Sequence, residues 1–582
     1  MGGDKERRLV DSFMATELLA VVLTIALAVA TSIPIGRYMA RVFAGQRTWL
    51  DPVLLPIERL VLRASMVDSS EQQAWRHYAR SILVSNFVMW IAAFGILLTQ
   101  GSLMLNPDGI GGMEPWLAFN TASSFVTNTN LQHYSGETGL SYLSQMIVIT
   151  FLQFVTAATG MAALVAIIRA LGGDRLTHIG NFYVDATRAS VRVLLPLAML
   201  VSIVTLSQGT PVTLQPAVRA LTLEGGEQTI ARGMVAGEVA IKQLGTNGGG
   251  YFGPNSAHPY ENPTPLSNLV QTWSILIIPM GMVWTLGGMI RRRRLAIVVF
   301  VTMLALYLPL TGFAIAQEFG GNPALEGMGV DQATGSMEGK EVRFGAGLTA
   351  LWAATTTVTS NGSVNGMHDS LTPLGGLVPM IGMWFNNIYG GVGVGFINML
   401  IFIIVTVFIA GMMIGRTPEF LGKKVEAREM TLASLVLLLH PLLILGGTAI
   451  AAHAWTTTAA PGAALGWLKN PGPHGFSEML YEFTSAAANN GSGFEGLGDN
   501  TPFWNISTGV VMLFARYIPI IAPLALAASL AAKPAAPESA GSLSAESATF
   551  GVALWAVVVV LGVLMFLPVA VLGPIAEHLA LR

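Results

Sequence analysis

Ten long apolar stretches alternate with polar connections along the chain. They lie near residues 16–36, 82–100, 146–171, 190–207, 268–290, 295–316, 393–415, 431–453, 503–530 and 547–572. A helix needs roughly 20 consecutive apolar residues to cross a bilayer. The pattern therefore predicts an all-α polytopic membrane protein with about ten transmembrane helices. Residues 16–582 are predicted to form one transmembrane domain, which follows a polar N-terminal extension at residues 1–15.

The region before the seventh stretch is apolar but interrupted. Residues 374–392 contain Gly375, Gly376, Pro379 and Gly382, which disfavour a continuous helix. Irregular backbone at membrane depth is tolerated only where protein or a water-filled cavity covers it. We therefore expect the seventh span to begin as a broken segment.

The basic residues are distributed unevenly between the connections. The connections 37–80, 169–192, 291–294 and 416–428 and position 533 hold 20 of the 31 Lys and Arg, whereas the connections 101–142, 208–265, 317–373 and 454–502 hold six. Basic residues favour the cytoplasmic side, so the first set is predicted to be cytoplasmic and the second external. With ten spans, both termini are then predicted to be external. The arginine run 291–294 is expected to anchor this topology, with membrane lipid headgroups as a secondary contact.

Each long external connection contains one segment of the same kind. The four segments read FVTNTN (125–130), LGTNGGG (244–250), VTSNGS (358–363) and AANNGS (487–492). Repeats at a regular spacing indicate an architecture of repeated units. We predict four units of helix, pore loop and helix, with one extra helix at each end. The pore loops are expected near residues 115–131, 234–250, 345–363 and 476–492.

The four segments have the composition expected of a cation filter built from dipoles. They are rich in Asn, Thr, Ser and Gly and contain no Asp or Glu. Rings of backbone carbonyls can replace the hydration shell of potassium, and a short helix entering from outside points its negative end at the ion. Small residues also serve helix packing in membranes, but four equivalent external segments favour the filter.

Composition excludes several other classes. Hydrophobic residues make up 52% of the 582 residues and charged residues 11%, whereas soluble proteins carry about 25% charged residues. Cysteine is absent, which excludes disulfides and thiolate metal sites. The net charge of −2 gives no reason to expect a nucleic-acid partner.

Longer motifs surround the four segments. They are TNTNLQHYSGE (127–137), LGTNGGGYF (244–252), NSAHPYENPT (255–264), MHDS (367–370), GMMIGRTPEFLGKK (411–424) and NPGPHGFSE (470–478). In these motifs the chain resembles the KdpA family, the potassium-binding subunits of bacterial Kdp ATPases. The resemblance covers nearly everything after Met14.

The resemblance implies both a fold and a set of partners. It implies a Trk/Ktr-type potassium-transporter fold in the bacterial cytoplasmic membrane. It also implies a complex with a P-type ATPase subunit and a small accessory subunit. External potassium would bind in the filter and pass through an intramembrane tunnel to that ATPase.

Carried over to this sequence, the resemblance implies a potassium filter of twelve residues. These are Asn128, Thr129, Asn130, Thr246, Asn247, Gly248, Ser360, Asn361, Gly362, Asn489, Asn490 and Gly491. In loop one the filter could instead begin at Thr127, because Asn130 stands where the other loops have glycine. Strict fourfold symmetry is therefore not expected. Gly248 is expected to turn its backbone carbonyl toward the ion.

Four further residues are candidates for the pore mouth or gate. Gln132 follows the first filter segment and is expected at the pore mouth. Gly390 and Gly391 could form the hinge of a gating loop, or could serve glycine packing alone. Arg516 lies within the ninth span, where a charge is costly. It would either hold a positive charge below the filter or snorkel to a nearby membrane surface.

The sequence lacks the motifs of other kinds of functional site. There is neither a GxxxxGK[ST] phosphate loop nor an Asp-Lys-Thr-Gly phosphorylation motif. The chain is therefore expected to bind potassium but no nucleotide, and to be a non-hydrolytic subunit. The 255–264 segment, with His258 and Glu261, has too few ligands for a metal and is interpreted as a rigid turn, and the other histidines lack ligand spacing.

Two alternatives to the pump subunit remain at this point. The first is a stand-alone channel or symporter of the Trk/Ktr type. The second is a membrane scaffold that transports nothing.

Overall fold

The computed structural model describes residues 2–457, 465–535 and 544–581, with side chains described from residue 12 onward. Its α-helices are α1 (Gly2–Phe43), α2 (Asp51–Ala64), α3 (Trp75–Thr99), α4 (Pro115–Val126), α5 (Gly136–Gly139), α6 (Tyr142–Ser144), α7 (Phe151–Gly172), α8 (Phe182–Arg188), α9 (Leu195–Ser207), α10 (Val235–Leu244), α11 (Pro265–Met289), α12 (Arg293–Phe319), α13 (Pro323–Gly327), α14 (Gly345–Val358), α15 (Pro373–Phe385), α16 (Val394–Ile414), α17 (Ala427–Thr457), α18 (Pro473–Ala488), α19 (Pro502–Ala531), α20 (Ala548–Ala570) and α21 (Ala576–Ala580).

Short irregular helical turns and two hairpins complete the secondary structure. Turns with 3₁₀ geometry lie at Gln100–Ser102 and Asn255–Ala257, and π-turns at Gln145–Thr150, Ala189–Leu194 and Val571–Ile575. Strand β1 (Val218–Leu221) pairs antiparallel with β2 (Glu227–Ile230), and β3 (Glu419–Phe420) pairs with β4 (Lys423–Lys424). Both hairpins are small additions to a helical protein.

The predicted number of spans is confirmed. Within the described residues, ten helical stretches are long and apolar enough to cross a membrane: Ser12–Phe43, Trp75–Ser102, Tyr142–Gly172, Phe182–Ser207, Pro265–Met289, Arg293–Gly327, Val394–Ile414, Ala427–Thr457, Pro502–Ala531 and Ala548–Ala580. The chain is a multi-pass membrane protein.

The predicted polar extension has no separate fold of its own. Helix α1 begins at Gly2 and continues without interruption into the first span. Met1, the side chains of residues 2–11 and Arg582 lie outside the described part of the chain, so the predicted external termini stay a prediction.

The predicted four-unit arrangement is visible in the burial of the spans. In each unit one span precedes a short re-entrant helix and one follows it. In the first unit the following span, Tyr142–Gly172, is buried over 83% of its most apolar window, against 22% for the preceding span Trp75–Ser102. The corresponding values are 78% and 44% in the second unit, 56% and 50% in the third, and 67% and 22% in the fourth. The following span is thus the more buried one in every unit, by a wide margin in all but the third.

The seventh span does begin as a broken segment. Helix α15 ends at Asn386, which has a left-handed backbone (φ 45°), and α16 begins after Gly393 (φ 98°). Residues 386–393 between them are non-helical and mostly buried. We call these residues the underlying segment, because they lie against the filter described below.

Small residues bring the first helix close to the fifth span. A Cβ added at Gly36 would overlap the backbone of Gly281, so the two helices touch along their backbones. Indole nitrogens of Trp273 and Trp284 in α11 donate to hydroxyls in α1, at 2.9 and 3.1 Å. The extra N-terminal helix is thus fixed against the second unit.

Candidate functional site

Four short helices end inside the protein, and each is followed by a polar segment. These helices are α4, α10, α14 and α18, one in each unit. We call residues 128–130, 246–248, 360–362 and 489–491 the four filter segments. Eleven of these twelve residues are buried, and Gly491 is partly buried.

The four filter segments share one backbone conformation. The first residue of each has a left-handed φ: 63° at Asn128, 45° at Thr246, 50° at Ser360 and 51° at Asn489. The third residue also has a positive φ: 59° at Asn130, 84° at Gly248, 88° at Gly362 and 103° at Gly491. The first segment therefore begins at Asn128 and not at Thr127. Asparagine tolerates the left-handed region better than most residues, which is why Asn130 can stand where the other segments have glycine.

Hydrogen bonds to the preceding helix give the same register. The amide of each middle residue donates to the carbonyl five residues earlier. The four bonds are Thr129 to Ser124 at 2.9 Å, Asn247 to Lys242 at 2.9 Å, Asn361 to Thr356 at 2.8 Å and Asn490 to Ser485 at 2.9 Å. Each helix end thus holds its filter segment in an equivalent position.

The filter segments form a closed ring. A Cβ at Gly248 would overlap the carbonyl oxygen of Asn361, one at Gly362 that of Asn490, and one at Gly491 that of Thr129. Each glycine thus lets its segment touch the middle carbonyl of the next. Between the first and second segments, the side chain of Asn128 donates to the carbonyl of Thr246 at 3.2 Å. The cyclic order is therefore first, second, third, fourth, first.

The middle asparagines use their side chains to brace the ring. Asn361 Nδ2 donates to the carbonyl of Lys242, and Asn490 Nδ2 to that of Thr356, both at 2.9 Å. Their Oδ1 atoms accept from the amides of Ser363 and Ser492, at 2.9 and 3.1 Å. These two side chains are occupied, so only their backbone is free to meet a ligand.

The middle carbonyl oxygens have no protein partner. Thr129, Asn247, Asn361 and Asn490 are all 0% exposed. Within the described part of the chain, none of their four carbonyl oxygens accepts a hydrogen bond. Buried backbone carbonyls are almost always paired, so four unpaired ones at equivalent places in one ring indicate a site for a cation.

Gly248 differs from the middle residues in the state of its carbonyl. That oxygen accepts a hydrogen bond from Asn255 Nδ2 at 2.6 Å, and its contact with an ion stays a prediction. Because Gly248 has no Cβ, the second filter segment can contact the carbonyl oxygen of Asn361.

A buried ion pair stands behind the second filter segment. The ammonium group of Lys242 pairs with the carboxylate of Glu261, and both side chains are fully buried. Lys242 also donates to Asn255 Oδ1 at 2.6 Å, and Glu261 accepts from the amide of Phe252 at 2.9 Å. The 255–264 segment was predicted as a rigid turn, and its part in this brace was missed. A lysine inside an apolar pore helix was the available signal.

Two polar contacts brace the outer side of the ring. Gln132 exchanges two hydrogen bonds with the backbone of Gly250, at 3.0 and 2.8 Å, and so joins the first loop to the second. His133 is buried between Asn505 and Glu482, at 2.8 and 2.9 Å, and so joins the first loop to α18. Burial lowers the pKa of His133, but the carboxylates of Asp499 and Glu482 outweigh this and raise it to about 9. The imidazole is therefore charged at neutral pH.

The underlying segment contacts the second and third filter segments. The amide of Val392 donates to the hydroxyl of Thr246 at 2.7 Å, and the hydroxyl of Ser360 donates to Asn386 Oδ1 at 2.7 Å. Gly390 packs against Gly395 so closely that a Cβ on Gly395 would overlap it. Close packing alone thus requires glycine here, and the hinge stays a prediction.

A cavity lies directly beneath the ring. Its lining includes Ser360 and Asn489 from the filter, Gly391 from the underlying segment, and Arg516 from α19. Arg516 is 5% exposed, and its Nη2 has no hydrogen-bond partner among the described residues. Snorkelling would carry the guanidinium to a membrane surface, whereas this position is inside the protein, at the cavity.

Ten apolar spans, four re-entrant helices and a closed ring of buried polar segments define an all-helical, multi-pass membrane protein. Residues 22–579 match the family model described as KdpA: Potassium-transporting ATPase A subunit. The chain belongs to the KdpA family.

Known proteins agree with this assignment. Potassium-transporting ATPase potassium-binding subunits of Phocaeicola vulgatus and Flavobacterium psychrophilum are 51% and 50% identical over 569 and 574 residues. Each match covers 98% of this chain and 100% of the relative. The crystal structure of the potassium transporter TrkH from Vibrio parahaemolyticus is similar in fold, with a TM-score of 0.51 at 14% identity. That match covers 89% of this chain and 98% of TrkH.

Proposed function

We propose that the chain is the potassium-binding and translocating subunit of an ATP-driven potassium uptake pump. External potassium binds in the ring of filter segments and passes through an intramembrane tunnel to a P-type ATPase subunit. The names of the relatives support the ion and the assembly. The observation that carries the proposal is the set of four buried, unpaired carbonyls of Thr129, Asn247, Asn361 and Asn490.

The ring has the chemistry that a dehydrated potassium ion needs. An ion entering it loses water, and carbonyl dipoles replace the lost shell. Each pore helix ends at its filter segment, so its negative dipole end favours a cation there. The filter segments contain no carboxylate, so the site lacks the charged ligands typical of divalent-ion cages.

The cavity beneath the ring would be the next position of the ion. Gly391 lines this cavity beside Ser360 and Asn489 of the filter, and we assign Gly390 and Gly391 of the underlying segment to the gate. Arg516 places a positive charge at the cavity. That charge would oppose free passage to the cytoplasm and favour transfer to the partner subunit.

Arg516→Gln should increase uncoupled potassium leak by about tenfold. A unit charge about 10 Å from an ion contributes about 1.7 kcal/mol at an effective dielectric of about 20, and each 1.4 kcal/mol is about tenfold in rate. The measurement is isotope efflux from loaded proteoliposomes without ATP. Arg80→Gln, at an exposed arginine outside the pore, serves as the control. If the potassium leak equalled that of the unaltered protein, Arg516 would not contribute to the barrier.

The complex is tested by ATP hydrolysis. The purified chain should hydrolyse no ATP, because it lacks both nucleotide motifs, and potassium-stimulated hydrolysis should appear only with a phosphorylating subunit. Recovery of a cytosolic nucleotide-binding regulator in place of that subunit would favour the stand-alone Trk/Ktr-type transporter. Turnover by the isolated chain would contradict the non-hydrolytic assignment.

We place the protein in the bacterial cytoplasmic membrane with the filter mouth external. The uneven distribution of basic residues supports this orientation. A reporter enzyme fused after Arg294 should read as cytoplasmic, and one fused after Gly225 as external. The reverse result would invert the filter.

A further inference from the structure

A second group of ionisable side chains lies away from the filter. It contains Asp369, which follows the third filter segment, and His474 and Glu478, one turn apart at the start of α18. His474 Nε2 is 2.9 Å from Asp369 Oδ1 and 3.9 Å from Glu478 Oε1. One ligand atom from each of the three residues lies within 4.8 Å of the others.

Glu478 is incompletely satisfied by the protein. Its side chain is 0% exposed, and its Oε2 has no hydrogen-bond partner in the described part of the chain. Its Oε1 accepts only a long bond of 3.4 Å from Asn470. A buried carboxylate is costly unless it is paired or coordinates a metal, so this oxygen is available to coordinate a cation.

The remaining nitrogen of His474 is already oriented. Nδ1 lies 2.9 Å from Glu577 Oε1. Histidines that bind metals almost always donate their second ring N–H to a carboxylate or carbonyl, which fixes the ring and its tautomer. Glu577 therefore orients Nε2 toward Asp369, whose Oδ1 shares a hydrogen bond of 2.9 Å with it, and a bound metal would replace the proton between these two atoms.

The loop that carries Asp369 is also fixed in place. Glu495 accepts the backbone amides of His368 and Asp369, at 3.3 and 2.9 Å. The carboxylate of Asp369 is thus held toward His474 by the backbone and not by side-chain packing alone.

We propose that Asp369, His474 and Glu478 bind a divalent transition metal, best fitted by zinc, with Glu577 as the orienting carboxylate. Tetrahedral zinc with bonds of about 2.0–2.2 Å separates its ligand atoms by about 3.3–3.6 Å. The observed separations of 2.9 and 3.9 Å lie on either side of this range. The imidazole favours zinc over magnesium, calcium or potassium, which prefer oxygen ligands.

Solvent can reach the site, because the side chains of Asp369, His474 and Glu577 are 16%, 19% and 19% exposed. The metal would connect the third pore loop to α18, with the terminal helix α21 held through Glu577. Because a ligand that binds only the folded state stabilises it, zinc should raise the melting temperature. The site is separate from the ion path, so its test does not depend on transport.

The test uses the intact complex, purified without an affinity tag and treated with a chelator. Zinc chloride titrated calorimetrically should bind at one site per chain and raise the melting temperature. His474→Gln should weaken zinc binding at least tenfold and abolish the thermal shift. Glu577→Gln should weaken it about 10–100-fold, as outer partners of metal sites do. His453→Gln, at an exposed histidine that pairs with no carboxylate among the described residues, should bind zinc like the unaltered protein.

X-ray absorption of the zinc complex should show one imidazole nitrogen among oxygen ligands. Potassium uptake in zinc-free medium shows that each variant is folded, and Asp369→Asn replaces any variant that fails this check. No saturable zinc binding by the unaltered complex would overturn the site, as would undiminished affinity in His474→Gln. An equal loss of zinc affinity in His453→Gln would overturn the site as well.

Discussion

Gly248→Arg is expected to abolish high-affinity potassium uptake while the chain still inserts and assembles. Gly248 has a φ of 84°, and any Cβ would overlap the carbonyl oxygen of Asn361 and crowd the amide of Ser363. The third filter segment would therefore have to move, and the guanidinium would add a positive charge in a site of low dielectric, where repulsion is amplified.

Gly248→Ala isolates the geometric part of this effect. A non-glycine residue in such a conformation costs about 1–3 kcal/mol, and 1.4 kcal/mol corresponds to about a tenfold loss of affinity. We therefore expect potassium affinity to fall by about tenfold or more. We also expect rubidium and ammonium to be admitted more readily, because the ring is no longer held at one size.

The measurement is isotope uptake at low external potassium, made together with co-purification of partner subunits. Gly237→Ala is the matched control, because Gly237 lies in the same pore helix with open space around it and an ordinary helical backbone. It should transport normally. Normal uptake by Gly248→Arg would refute the filter as described.

Lys242→Met is expected to destabilise the protein by about 3–5 kcal/mol, because removing one partner of a buried ion pair leaves the other charge uncompensated. Glu261 is fully buried and would lose the ammonium group that compensates it. Asn255, which donates to the carbonyl of Gly248, would lose the ammonium group as a donor and keep only the amide of Ser256. Potassium affinity should therefore fall along with stability.

A variant in which both Lys242 and Glu261 are replaced separates the effect of the lost ion pair from the effect of altered side-chain packing. Replacing both partners of a buried pair with uncharged residues is often nearly neutral, so Lys242→Met with Glu261→Gln should recover much of the melting temperature. Glu546→Gln tests an exposed pair with Arg292 and should change stability by less than about 1 kcal/mol. Equal melting temperatures for Lys242→Met and the unaltered protein would show that the pair does not hold the filter.

The sequence by itself determined the membrane architecture. Spans, their number and the four units follow from hydropathy and repeat spacing, which are properties of neighbouring residues. Bilayer thickness fixes how long an apolar stretch must be, so ten stretches were enough to predict ten spans. The break before the seventh span was predicted, but Gly375, Gly376, Pro379 and Gly382, on which that prediction rested, lie inside helix α15. The chain leaves the helix only at residues 386–393.

The tertiary structure decided how the polar residues are used. The sequence left the first filter segment open between Thr127 and Asn128, and only the shared backbone angles and hydrogen bonds chose Asn128. It also predicted an ion-facing carbonyl at Gly248, and only the structure shows that Asn255 donates a hydrogen bond to that oxygen. No local pattern distinguishes a carbonyl bound to the protein from one left free for an ion.

Contacts between residues far apart in the sequence could not be predicted from it either. Asp369 and His474 are 105 positions apart, and His474 and Glu577 are 103 apart. The sequence did not decide whether the side chain of Arg516 reaches a membrane surface or lies below the filter. The structure places it at the cavity. Burial and partners of a charged side chain depend on how separate helices pack. Hydropathy shows that the helices are present, but it carries no information on which of their faces meet.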